Sequence, residues 1–109
     1  MGSYEISNGV MIYYLPKELD HYEADLIKRK SEAVFETEII NYLIFDFKET
    51  VFMDSSGIGL VMGRYKTISE LSGELAIVNT SPSIGKVMKL AGMERLAKIG
   101  MEEISNETN

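Results

Sequence analysis

Apolar residues change their spacing repeatedly along the chain, and each change marks an element. Residues 4–7 and 10–15 are short β-prone runs joined by Asn8-Gly9, the dipeptide that best tolerates the positive φ angles of a two-residue turn, so an antiparallel hairpin is predicted. Pro16 stops the second strand because it has no backbone N–H to donate. Asp20 followed by Glu23 reads as a capped helix start, and Ala24, Ile27, Val34 and Phe35 then recur at helical spacing, which predicts a first helix from about 22 to 37. Residues 39–47 are apolar on both alternating faces, the pattern of a central strand covered on both sides, with Asp46 near its end. Ile58, Val61, Met62, Tyr65 and Ile68 return to helical spacing as the expected buried stripe of a second helix, which stops near Leu71 where Ser72-Gly73 follows. Residues 75–78 form the next buried strand. Ser81 as cap and Pro82 in the first turn open a third helix with the stripe Ile84, Val87, Met88 and Ala91, a stop at Gly92, and Lys86 and Lys89 towards its C-terminal end. Residues 96–99 read as a last strand and 101–109 as a polar, frayed tail.

Hairpin, helix, strand, helix, strand, helix, strand is an order that needs crossover connections. It predicts an α/β fold: a mixed, mostly parallel sheet of four to five strands, an N-terminal hairpin and three to four helices. With 109 residues and 45% hydrophobic content, one domain over 1–109 accommodates the whole pattern. Residues 1–3 are a flexible start or an expression remnant, since Ile6 stands where a myristoylation signal wants Ser or Thr.

Charge narrows the partners. Seventeen acidic against eleven basic side chains give a net charge of −6, which argues against nucleic acid and anionic membrane surfaces and in favour of protein partners. The absence of cysteine excludes a disulfide framework and thiolate metal sites and permits a cytoplasmic location. No apolar run reaches the length of a membrane span or of a signal peptide's core.

Chemistry concentrates at Asp54-Ser55-Ser56-Gly57, where strand-like pattern gives way to helical pattern at the carboxyl side of the sheet. At a helix N-terminus the first backbone N–H groups lack intrahelical partners and the macrodipole is positive, so a phosphoryl group on either serine is tolerated by the fold. From pattern alone, plain capping is the commoner reason for a serine there. Gly57 and Gly59 clear space around the hydroxyls or let the helix pack tightly on the sheet. On the helical projection Gly57, Leu60, Gly63, Arg64 and Thr67 lie opposite the apolar stripe, which leaves Leu60 exposed beside the serines as a docking spot; Arg64 either joins it or pairs with a nearby carboxylate. The dinucleotide fingerprint fails because Met62 stands where its third glycine belongs, and no Walker lysine follows. A hydrolytic triad of Ser56, His21 and Asp54 is conceivable, but the G-x-S-x-G elbow is absent. Asp20, His21, Glu23 and Asp25 match no established metal-ligand spacing.

Residues 52–59, Phe-Met-Asp-Ser-Ser-Gly-Ile-Gly, continuing through Gly63, Arg64, Tyr65 and Lys66, resemble the signature of the anti-sigma-factor antagonists, the STAS-domain proteins, and within them the sporulation branch. Glu18-Leu19-Asp20-His21 is similar to the family's Gly-Glu-Leu-Asp element, with Lys17 in place of its glycine, and residues 81–93 are similar to its Ser-Pro helix. The resemblance implies a STAS fold, with a closing helix that is short or missing here, and a mechanism of partner switching. Ser56 is then phosphorylated by an anti-sigma factor that is also an ATP-dependent serine kinase, and a metal-dependent serine phosphatase resets the switch. The unphosphorylated chain binds that kinase and so releases a sigma factor. On this reading Asp54 shapes the site, Asp20, Ser55, Gly57, Leu60 and Arg64 belong to the partner-binding surface, and the chain has no catalytic residue, cofactor or metal of its own. The alternatives are a STAS scaffold whose serine is never phosphorylated and, further off, a serine hydrolase.

Overall fold

In the computed structural model, which describes residues 2–93 and 98–99, Asn8 and Gly9 take φ of 51° and 80°. They fold β1 (Ser3–Ser7) back on β2 (Val10–Tyr14) in the antiparallel register predicted for an Asn-Gly turn. Every later strand of the main sheet runs parallel to its neighbour: β4 (Tyr42–Asp46) joins β2, β6 (Glu74–Val78) joins β4, and β7 (Lys98–Ile99) joins β6. The strand order is β1-β2-β4-β6-β7, which makes β4 the central strand and the sheet mixed and five-stranded. Leu43, Phe45, Ala76 and Ile77 are fully buried, as strands covered on both faces require. β4 is shorter than its apolar run because Ile39 is a solvent-exposed residue of the turn that leaves the first helix.

Among the described residues three helices alternate with these strands. α1 (His21–Thr37) is capped by Asp20, whose carboxylate accepts the Glu23 N–H at 3.0 Å. α2 (Ser55–Glu70) is capped by Asp54, and α3 (Pro82–Leu90) by Ser81, whose hydroxyl accepts the Ile84 N–H at 3.2 Å with Pro82 in the first turn. Gly92, at φ 83°, follows α3 in the left-handed conformation that ends helices. The buried side of α3 is Ile84, Gly85 and Met88; Val87 and Ala91, expected in its stripe, face solvent. Residues 101–109 and the question of a closing helix lie outside the described residues.

A second, two-stranded sheet had no signature in the sequence. β3 (Glu18–Leu19) and β5 (Phe52–Met53) pair in parallel, with Glu18 opposite Phe52 and Leu19 opposite Met53. The Lys17 carbonyl takes the Val51 N–H at 2.8 Å, and the Thr50 hydroxyl donates to the Pro16 carbonyl at 2.8 Å. This ladder fixes the approach to α1 against the approach to α2, so the two helices start side by side.

Candidate functional site

Because Leu19 and Met53 are in register, the next residue on each strand, Asp20 and Asp54, caps a helix at an equivalent place. Both caps are extended, with φ/ψ of −97°/−173° and −99°/−172°. The Asp54 carboxylate accepts the Ser56 N–H at 2.8 Å, and its carbonyl accepts the Gly57 N–H at 3.0 Å. One carboxylate thus satisfies a backbone donor that the helix itself cannot. Two helix N-termini, each the positive end of a macrodipole, converge on one patch. His21, the first residue of α1, and Ser56, the second of α2, meet across it, with His21 Nδ1 3.5 Å from Ser56 Oγ.

Ser55 is exposed and Ser56 half-buried. Gly57 is buried: a Cβ there runs into Met53 Cγ, reaches Met53 Sδ at 2.8 Å and Leu19 Cδ2 at 3.1 Å, so this glycine is required by packing of α2 on β3 and β5. Gly59 and Gly63 differ, since a Cβ at either meets nothing within 4 Å. They leave open the cleft of about 320 Å³ that runs between α1 and α2, with His21, Lys28, Ser56 and Arg64 along its walls. Lys28 is a cleft residue that sequence reasoning missed, and Asp25, weighed there only as a metal ligand, lines the cleft as well. The signal for them was present, because His21, Asp25 and Lys28 stand at i, i+4 and i+7 on one face of α1.

Leu60 and Arg64 are corrected by the structure. Leu60 is 6% exposed and Arg64 3%, so neither is a surface docking spot. α2 packs on α1 as well as on β6, and its buried residues Gly57, Leu60, Val61, Arg64 and Ile68 include the face assigned to solvent. Met62, assigned to the core, is 46% exposed instead. The carboxylate-pairing role of Arg64 is the one realised: its Nη2 contacts Glu32 at 3.1 Å, its Nη1 donates to Ser31 Oγ at 3.3 Å, and its guanidinium lies 5.8 Å from the Phe35 ring centre. All three partners sit on α1, so Arg64 clamps the two helices together, while its Nε is buried without a partner.

Of the hydrolytic triad, the structure brings Ser56 and His21 together and leaves Asp54 out. Both capping carboxylates are occupied by backbone N–H groups, and among the described residues no carboxylate orients the His21 ring. Nor, among those residues, do three His, Asp or Glu side chains gather as a metal site. No helix of the described residues is long and apolar enough to cross a membrane.

The sequence matches the STAS domain over residues 3–105. It is 30% identical over 101 residues to the anti-sigma F factor antagonist of Paenibacillus polymyxa, covering 93% of this chain and 86% of that protein. The fold is similar to that of the anti-sigma factor antagonist SpoIIAA in its unphosphorylated form, with a TM-score of 0.79 at 27% identity over 98% of this chain and 93% of that one. It is similar also to the phosphorylated form of SpoIIAA, a Bacillus cell fate determinant, with a TM-score of 0.76 at 28% identity over 91% of this chain and 90% of the other. With the match running from β1 past β7, through both capped helix starts and the sheet that aligns them, the chain belongs to the STAS domain family.

Proposed function

We propose that this chain is an anti-sigma factor antagonist of the cytoplasm, a non-enzymatic switch whose Ser56 is phosphorylated by an anti-sigma factor that is also a serine kinase. The observation that carries the reading is the Ser56 hydroxyl, half-buried at the mouth of an open cleft, on a helix N-terminus whose backbone is held by Asp54. In the transfer a bond forms between Ser56 Oγ and the γ-phosphorus of ATP, the bond from that phosphorus to the ADP oxygen breaks, and the hydroxyl proton leaves to a base on the kinase. Relatives named as anti-sigma F factor antagonists, and a neighbour of the same fold known in phosphorylated form, support this assignment. Asp20, Ser55 and the exposed rim of α2 belong to the surface that meets the partner; the buried Gly57, Leu60 and Arg64 shape it from beneath. A serine phosphatase resets the switch, and a sigma factor is freed when the unphosphorylated chain occupies the kinase.

Physical chemistry makes such a switch one-sided. A phosphoryl group brings up to two negative charges near Asp54. At ~5 Å these cost about 2 kcal/mol in water against one carboxylate, and more in a partly desolvated interface. Helix N-termini offset that repulsion in the free chain, whereas an acidic or apolar partner surface does not. Since each 1.4 kcal/mol is tenfold in affinity, binding falls by at least tenfold while the fold is retained.

Intact mass after incubation with ATP and the cognate kinase tests the site. Wild type and Ser55→Ala gain one phosphoryl group and Ser56→Ala gains none; phosphate persisting in Ser56→Ala would sink the assignment, and a wild type that gains none would favour a scaffold. The Ser56–His21 contact favours serine hydrolysis as a second reading. That reading requires ester hydrolysis abolished by both Ser56→Ala and His21→Ala.

A further inference from the structure

We propose that the cleft between α1 and α2 is an anion seat whose occupant is the phosphoryl group of phosphorylated Ser56, held by direct contact with His21. The proposal rests on the reading that Ser56 is the modified residue. Phosphoryl oxygens extend beyond Oγ, and Oγ already stands 3.5 Å from His21 Nδ1. A phosphate turned towards the ring therefore comes within hydrogen-bond reach of a ring N–H, and the ionised acceptor makes that bond charge-assisted.

The surroundings fit an anion. In a chain of net charge −6 the described lining of the cleft sets His21, Lys28 and Arg64 against the carboxylate of Asp25. Asp25 is itself paired with Arg29 at 3.0 Å. The capping carboxylates, Asp20 just before α1 and Asp54 just before α2, accept backbone N–H groups at 3.0 Å and 2.8 Å and are fixed there. Arg64, almost fully buried in the cleft wall and paired with Glu32 on its far side, adds a permanent positive charge beside the cleft. Gly59 and Gly63 keep the space open, and about 320 Å³ is ample for a phosphoryl group with water around it.

The consequence is a latch within the chain itself. Phosphate folded into the cleft is turned away from an approaching kinase or phosphatase, and the phosphorylated form is preserved until a partner pulls the group out.

The test uses the full chain with phosphoserine installed chemically at position 56, so no kinase takes part and the outcome is separate from whether Ser56 is the kinase's target. Phosphorus NMR follows the second ionisation of the phosphate, ordinarily near pH 6, in the wild-type background, in His21→Asn and in Lys28→Ala. A phosphate held by His21 ionises at lower pH in wild type than in His21→Asn by about half a unit, a threefold change in proton affinity. Lys28→Ala should move it less. Coincident curves for wild type and His21→Asn would overturn the proposal, as would an equal displacement in Lys28→Ala, which would mean a diffuse field in place of a contact.

Discussion

The Asp54 carboxylate holds the Ser56 N–H at 2.8 Å, and removing that acceptor strands a donor in the first turn of α2. Asp54→Ala should destabilise the chain by about 1 kcal/mol, with a melting temperature lower by about 4–8 °C, whereas Asp54→Asn keeps an acceptor oxygen and loses only a fraction of this. Thermal unfolding of the two variants checks the pair. The glycines of the same turn divide in the opposite way. Gly57→Ala forces a methyl against Met53 and Leu19 and is expected to cost about 1 to 2 kcal/mol, despite the better helix propensity of alanine. Gly59→Ala meets no atom and should stabilise α2 by up to about 1 kcal/mol, so chemical denaturation ought to show opposite signs for two substitutions a half-turn apart. Caps at Asp20 and Ser81 were legible in the sequence because a cap and its N–H lie within three residues of each other, whereas before α2 the capping reading fell on the serines and the structure gives the cap to Asp54. The need for glycine at 57 was not, since what it avoids comes from β3 and β5.

At the level of elements, α2 explains why part of the site was misread. A single amphipathic stripe describes a helix with one buried side, but α2 is packed between β6 and α1. Its second contact swallows Leu60 and Arg64, and a charged residue on the helical projection gives no sign that its partners Ser31, Glu32 and Phe35 wait on another helix. The α1–α2 clamp is therefore a stability element first. Arg64→Ala removes the guanidinium from all three partners and leaves a void, at an expected cost of about 2 to 3 kcal/mol. Glu32→Ala should cost about 1 kcal/mol, because Glu32 is half exposed and water replaces its carboxylate beside the guanidinium. Urea titrations of the two variants check the order; a cost for Glu32→Ala equal to that for Arg64→Ala would mean that the ion pair alone carries the clamp.

Across the whole molecule, the alternation of strands and helices was enough to reach a mixed sheet with crossover connections, since right-handed connectivity leaves few other arrangements. What it missed, the two-residue β3–β5 pair, is too short to have a period. Yet that pair brings two helix starts together. A buried group that responds to pH sits where β1 and β2 meet. Tyr13 on β2 is 1% exposed, with its ring 5.4 Å from Tyr4 and 6.4 Å from Phe45 between centroids. Burial, and secondarily the charges that Tyr4 and Glu23 present, push its phenol up from 10.0 to about 12. Between those values the unfolded chain has released the phenolic proton and the folded chain has kept it, so the unfolded state binds fewer protons and stability falls as pH rises. The contribution is complete below about pH 10 and is lost as pH climbs to about 12, roughly 2 to 3 kcal/mol over the window at 1.36 kcal/mol per unit. Tyr13→Phe removes the titrating group while keeping the ring in the core. Unfolding free energies of the two chains should therefore run parallel at neutral pH and converge or cross above pH 10, where wild type declines more steeply; parallel curves throughout would show that the phenol reaches solvent in the folded chain.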